Sequence, residues 1–197
     1  MIKLYDRSTI DQLPWPNTPD GQYAKDYLFP LIKEGTHKFI DNVQTNLQAL
    51  TIDDLVLPIT INDAEYENSY VCSPYCQYVS YAIDELYLLK NTTLQCSVKA
   101  ILLGLGRLLK CVQINRVVIV NNWLLSTNLY PRIKPQQIRA ITDFLTKRFP
   151  NHLIMWRSLN HFLHSSIIET MKSTGYRDIA ENGLYVQSDR RTSDKKT

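Results

Sequence analysis

Two polar clusters in this 197-residue chain stand directly after apolar runs, and their side chains are of types that bind or move charge. In VNNWLLSTNLYP, residues 120–131, the amides of Asn121 and Asn122 can hold a carbonyl or an amide of a ligand. Ser126, Thr127 and Asn128 add hydroxyl and amide contacts suited to an anion. The same residue types also build turns, with Asn closing a strand end and Ser or Thr bonding back to the backbone. In MWRSLN, residues 155–160, Arg157 precedes Ser158 and Asn160 at the end of another apolar run. A guanidinium there can grip a phosphate or carboxylate through paired N–H groups, or form an ion pair with a neighbouring acid.

Proton transfer and covalent chemistry have fewer candidates. His161 and His164 are three residues apart and share roughly one helix face, so His161 could serve as a general base or stand solvated. Cys72 precedes a helix start at Ser73-Pro74, where a thiol of lowered pKa could carry an acyl group. No histidine or acid can be placed beside it from the sequence, and Ser73 is explained as a helix cap. Cys72 and Cys76 have half of a zinc spacing, but no second pair of ligands completes it, so no metal site is expected.

Bulk composition narrows the classes. A 44% apolar and 21% charged chain is an ordinary globular one, long enough for one good-sized core. The formal charge of +3 gathers in the last residues, at Arg190, Arg191, Lys195 and Lys196. The body carries no basic stripe with interleaved aromatics, so nucleic acid is not an expected partner. The most apolar stretch, AILLGLGRLL at 100–109, is well short of the ~20 residues that cross a bilayer. The first residues, MIKLYDRSTIDQLPWPN, lack the apolar run of an export signal. Free cysteines at 72, 76, 96 and 111 then fit a reducing cytoplasm, and no membrane attachment is expected.

These clusters need a frame to position them. IKLYD at 2–6 reads as a strand, and 22–50 as two short helices broken at Pro30 and Gly35. DDLVLPITIND at 53–63 and ENSYVCS at 67–73 read as a hairpin. Two core-packing helices follow within 74–112, the second with the apolar stripe Val98, Ile101, Leu102, Leu105, Leu108, Leu109 and Val112. RVVIV at 116–120 and HLIMW at 152–156 have the continuous apolar character of strands buried on both faces. A helix over 135–148 joins them, which makes them parallel. A helix capped by Asn160, with Leu163, Ile167, Ile168 and Met171 inward, ends at Gly175. YRDIA and LYVQ close the sheet around Asn182-Gly183, and 188–197 is a basic tail expected to be disordered. Ligands of such sheets bind beyond the carboxyl ends of the parallel strands, where both polar clusters fall.

The order of these elements, with VNNWLLSTNLYP, FPNHLIMWRSLN and the ending MKSTGYRDIAENGLYVQ, resembles the GNAT acyltransferase superfamily. Within it the chain is similar to the first half of a poorly characterised family that joins two such domains in tandem. The resemblance implies an α/β fold over 1–187, a GNAT-like mixed β-sheet flanked by helices, with a helical pair inserted at about 74–112 before the central parallel strand. It implies transfer of an acyl group from acyl-CoA or another thioester to an amine. Asn121, Asn122, Ser126 and Arg157 would line the site. The family's pyrophosphate loop, Q/R-x-x-G-x-G/A, has no counterpart after RVVIV. The one G-x-G, Gly104-Leu105-Gly106, lies inside a helical apolar pattern, where two glycines would let helices pack closely. The alternative implied is a non-catalytic half-domain that scaffolds or binds a partner catalytic domain, as a homodimer or a hetero-complex.

Overall fold

The computed structural model describes residues 1–180 and 184–187, so the expected Asn182-Gly183 turn and the 188–197 tail lie outside the described residues. Its centre is one seven-stranded mixed sheet of order β1-β2-β3-β4-β5-β7-β6. The strands are β1 (Ile2–Tyr5), β2 (Asn46–Ile52), β3 (Leu55–Asn62), β4 (Val117–Val120), β5 (Leu153–Trp156), β6 (Tyr176–Ala180) and β7 (Leu184–Gln187). Among the described residues, only β4 and β5 run parallel, in register from Val117↔Leu153 to Val120↔Trp156. All four residues of β4 are buried, as a central strand covered on both faces requires.

Among the described residues, five α-helices accompany the sheet: α1 (Pro19–Glu34), α2 (Tyr81–Asp84), α3 (Thr92–Cys111), α4 (Pro135–Arg148) and α5 (His161–Ser173). Ile138, Ile141 and Leu145 of α4, with Ile167, Ile168 and Met171 of α5, pack on Leu57, Ile59, Val118, Ile154 and Trp156. The opposite face carries α1, whose Ala24, Leu28, Leu31 and Ile32 meet Leu47, Ala49 and Trp123. Pro30 sits inside α1 without ending it. Proline removes one helical hydrogen bond, but the buried face spans the site on both sides and outweighs that loss.

Two expectations fail at the front of the chain. Residues 46–52 form a strand, not a second helix, because NLQALTI is paired on both edges, by β1 and by β3. Leu, Gln and Ala favour helices locally, and the two ladders override that preference. The hairpin is therefore β2–β3, closed by Asp53-Asp54 with Asp53 at φ 54. Gln137 of α4 braces this turn by donating to Asp53 Oδ2 at 2.8 Å. Residues 67–73 are not its second strand. The free edge of β3 is taken by β4, and 67–73 coils instead, with the Cys72 and Ser73 amides donating to Ser69 O, each at 3.1 Å.

The insertion begins as expected, since Ser73 Oγ accepts the Cys76 amide at 3.1 Å. Buried Asn115, just ahead of β4, fastens this start by accepting from Tyr75 N and donating to Ser73 Oγ and Glu65 O. A π-helical turn (Cys76–Ser80), α2 and a 3-10 turn (Glu85–Leu88) lead into α3. The expected core stripe of α3 is split: Val98, Leu102 and Leu109 are half-buried, while Ile101 is 70% exposed, Leu108 61% and Val112 61%. The helix is attached through its other side. A Cβ at Gly106 would lie 3.0 Å from Tyr75 Oη and 3.2 Å from Val79 Cγ1. Gly106 thus permits a close helix approach, while Gly104 has no neighbour within 4 Å. Leu163, expected inward on α5, is also exposed, one turn from the helix start where the core contacts have not yet begun.

Candidate functional site

β4 ends at Val120 and β5 at Trp156, side by side, so Asn121, Asn122 and Arg157 emerge at the same end of the sheet. All three are buried. Asn122 donates through Nδ2 to Thr60 Oγ1 at 2.9 Å and to Val71 O at 2.8 Å. Its Oδ1 accepts the Leu124 amide at 3.3 Å. Asn121 donates to Leu129 O at 2.7 Å and accepts from Trp123 Nε1 at 2.9 Å. The loop between them is tightly bent, with positive φ at Asn121 (56°) and Leu124 (59°), and Ser158 answers it with 65° after β5. Asparagine tolerates that region well; Leu and Ser do so at a cost that the surrounding hydrogen bonds offset.

Arg157 occupies the space between the two strand ends. Its Nη1 donates to Val71 O and Leu125 O, both at 3.1 Å, and lies 3.5 Å from Asn122 Oδ1. Nη2 donates to Ser126 O at 3.3 Å. These acceptors are three carbonyls and one amide, all uncharged, rather than the acid the sequence left open. Burial draws the guanidinium below its usual range, opposed by Tyr70, Tyr130 and Cys72. Tyr130 closes the other side, donating to Arg157 O at 2.7 Å and stacking on Trp156. Burial pushes its phenol strongly upward. From below, Tyr27 of α1 donates to Trp123 O at 2.8 Å.

The remaining predicted residues divide. Asn128 is buried, with Oδ1 accepting the Trp123 amide at 3.1 Å and Nδ2 left without a partner. Ser126 and Thr127 are exposed at the loop surface, and Ser126 contributes its carbonyl to Arg157. Asn160 is the cap of α5, accepting the Phe162 amide at 2.7 Å. His161 Nε2 lies 3.3 Å from the hydroxyl of Tyr185, a residue of β7 paired with Trp156, which brings His161 to the same end of the sheet. His164 accepts the Asn160 amide at 3.0 Å and packs on Tyr130, and burial lowers its pKa.

Cys72 is fully buried and donates to Asn68 Oδ1 at 3.1 Å. Burial, with Cys76 alongside, pushes its thiol up to about 12. Such a group is a protonated thiol at neutral pH, the reverse of the lowered pKa a nucleophile needs.

Thr60, the Val71 carbonyl, Tyr130 and Tyr185 belong to this constellation and were not singled out in the sequence. Thr60 had a faint signal as the polar residue between Ile59 and Ile61, and Tyr130 as part of VNNWLLSTNLYP. Val71 had none, because its role rests on its backbone.

A cleft of about 840 Å³ opens at the other end of the sheet, where β4 and β5 begin, lined by Arg116, Arg139, Lys147 and His152 among others. Arg116 Nε and His152 Nε2 lie 3.5 and 3.3 Å from Asp63 Oδ1. Among the described residues, no group of three or more His, Cys, Asp or Glu could hold a metal ion, and no helix is long and apolar enough to cross a membrane. Compared with family models, with curated proteins and with solved structures, the chain matches none.

Proposed function

We propose that this chain is a non-catalytic GNAT-like domain that binds or scaffolds a protein partner. The observation that carries this reading is the crevice between β4 and β5, closed by Arg157 and Asn122 bonding to the chain's own carbonyls. A donor thioester would have to displace the four hydrogen bonds of the Arg157 guanidinium to enter there, two of them buried and two part-buried. Each buried acceptor left unpaired costs about 1–3 kcal/mol. The one G-x-G lies within α3, where Leu105 and Gly106 amides are engaged in helix rather than open to a pyrophosphate. A protonated, buried Cys72 supplies no nucleophile.

The resemblance to the acyltransferase superfamily is supported by the order of elements. A strand, a helix and a hairpin precede the parallel pair, and a helix ending at Gly175-Tyr176 precedes two strands that complete the sheet. One observation favours the second reading, transfer of an acyl group from acyl-CoA to an amine: Asn128 Nδ2 is a buried donor with no hydrogen-bond partner.

Thermal unfolding with acetyl-CoA, longer acyl-CoAs and free CoA separates the two. A specific ligand at ~100 times its dissociation constant adds about 2.7 kcal/mol to the folded state. For a chain of this size that raises the midpoint by roughly 5–10 °C. The expected outcome is no shift with any of the three. A shift of that size with acyl-CoA, lost in Asn128→Ala, would replace the binding domain with a working transferase.

A further inference from the structure

The outward face of α3 has a regularity of its own. Leu94, Val98, Ile101, Leu105, Leu108 and Val112 are separated by gaps of four, three, four, three and four residues. Alternation of three and four is the seam of one helix packing along another, with a mean period of about 3.5 residues. On the side toward the domain the apolar strip continues through half-buried Leu102 and Leu109. That side is centred on Gly106 against Tyr75 and Val79. Five of the six seam residues stand 38–70% exposed.

Flanking the seam on its open side are Ser97, Gly104 and Cys111, seven residues apart and all small. Gly104 has nothing within 4 Å. A row of small residues beside an apolar seam lets a second helix backbone approach closely, where larger side chains would hold it off. No charge interrupts either row. Lys99, Arg107 and Lys110 project from the opposite side of the helix at 3.6 residues per turn. Lys110 is turned onto the rings of Tyr66 and Tyr75, its Nζ 5.0 and 4.8 Å from their centres. A helix built to lie on an anionic bilayer would carry its cations along the borders of the apolar strip.

The seam is also symmetric about its own midpoint. Turned end for end around Leu103, Ile101 meets Leu105, Val98 meets Leu108, and Leu94 meets Val112, so every seam residue finds an apolar mate of similar size. Such self-complementarity is what an isologous two-fold contact requires. The exposed seam presents on the order of 500 Å² of apolar surface, at the upper end of what a monomer shows. Two copies would bury about twice that, which reaches the ~1,000 Å² of a specific interface.

We propose that α3 is a homodimer interface, packing antiparallel on α3 of a second copy of this chain with the two-fold axis passing between Ile101 and Leu105. The inference rests on α3 alone and holds whether or not the crevice binds a thioester.

The test is the solution mass of the full chain by light scattering and sedimentation from roughly 100 to 1 µM, the range in which interfaces of ordinary size associate. Ile101→Lys and Leu103→Lys are run beside it. The wild type is expected at twice the chain mass of 22.9 kDa. Ile101→Lys places a charge at the centre of the seam and weakens the dimer by about 100-fold or more. Leu103, exposed on the far side of α3, leaves the dimer unchanged when replaced by Lys. Both variants keep the wild-type circular dichroism, because both positions are already in solvent. A wild type that stays monomeric at 100 µM overturns the proposal, and binding of that monomer to anionic vesicles would assign the face to a lipid surface instead. A dimer that survives Ile101→Lys overturns it equally, since the contact would then lie elsewhere.

Discussion

At the carboxyl ends of β4 and β5, Asn121, Asn122 and Arg157 are buried and bonded to the chain itself; on α3, Ile101, Leu108 and Val112 stand in solvent. The first region has the polar residues of a binding site in a structural position. The second has the apolar residues of a core in a surface position. Residue type alone therefore misplaces both. A buried amide or guanidinium needs partners from whatever chain surrounds it, and here the loops at 69–73 and 121–130 supply them. An apolar helix face needs cover, and among the described residues nothing covers this one.

The comparison breaks most visibly at Arg157. Replacing it with Ala strips the carbonyls of Val71, Leu125 and Ser126 of their shared donor. Urea unfolding should register a loss of about 3 kcal/mol or more. A loss under about 0.5 kcal/mol, the range of ordinary surface substitutions, would mean the crevice is open to water or a ligand and that the contrast with α3 is false. A smaller effect is expected where α3 joins the domain. Gly106→Val drives methyl groups into Tyr75 and Val79 and should cost about 1–3 kcal/mol by overpacking. The matching change at Gly104, whose neighbourhood is empty, should leave the melting of the monomer within the scatter of helix propensity.

The smallest effect is a pH dependence, to which His164 contributes on the crevice side. Burial holds the His164 pKa below its ordinary 6.5, and its Nδ1 accepts the Asn160 amide only when that nitrogen is unprotonated. The unfolded chain then binds more protons than the folded one in the interval below 6.5. Its contribution is complete above 6.5 and is lost as pH falls through the folded value. Denaturation at intervals from roughly pH 8 to pH 5 should show this decline. His164→Gln should flatten it to the remainder left by His152, also lowered by burial. An unchanged slope in His164→Gln would take the crevice histidine out of the account.

The parts that were legible in the sequence are those in which local signals agree with their surroundings. Pro135 opens α4 and Arg148 ends it, Asn160 caps α5, Gly175 closes it at φ 93, and VVIV and LIMW are buried strands. The parallel pair and the gathering of Asn121, Asn122 and Arg157 at one end follow from these elements, because a helix between two buried strands leaves one arrangement. Tertiary structure alone decided the rest. NLQALTI became β2 because two neighbours offered ladders, and 67–73 coiled because β4 had taken the edge it would have used. Whether Arg157 reaches a ligand or the carbonyl of Val71 depends on a segment 86 positions away. Which face of α3 is buried depends on where Gly106 lets Tyr75 approach. Periodicity reports that a helix has an apolar side; only the packed neighbours determine whether the chain itself covers that side.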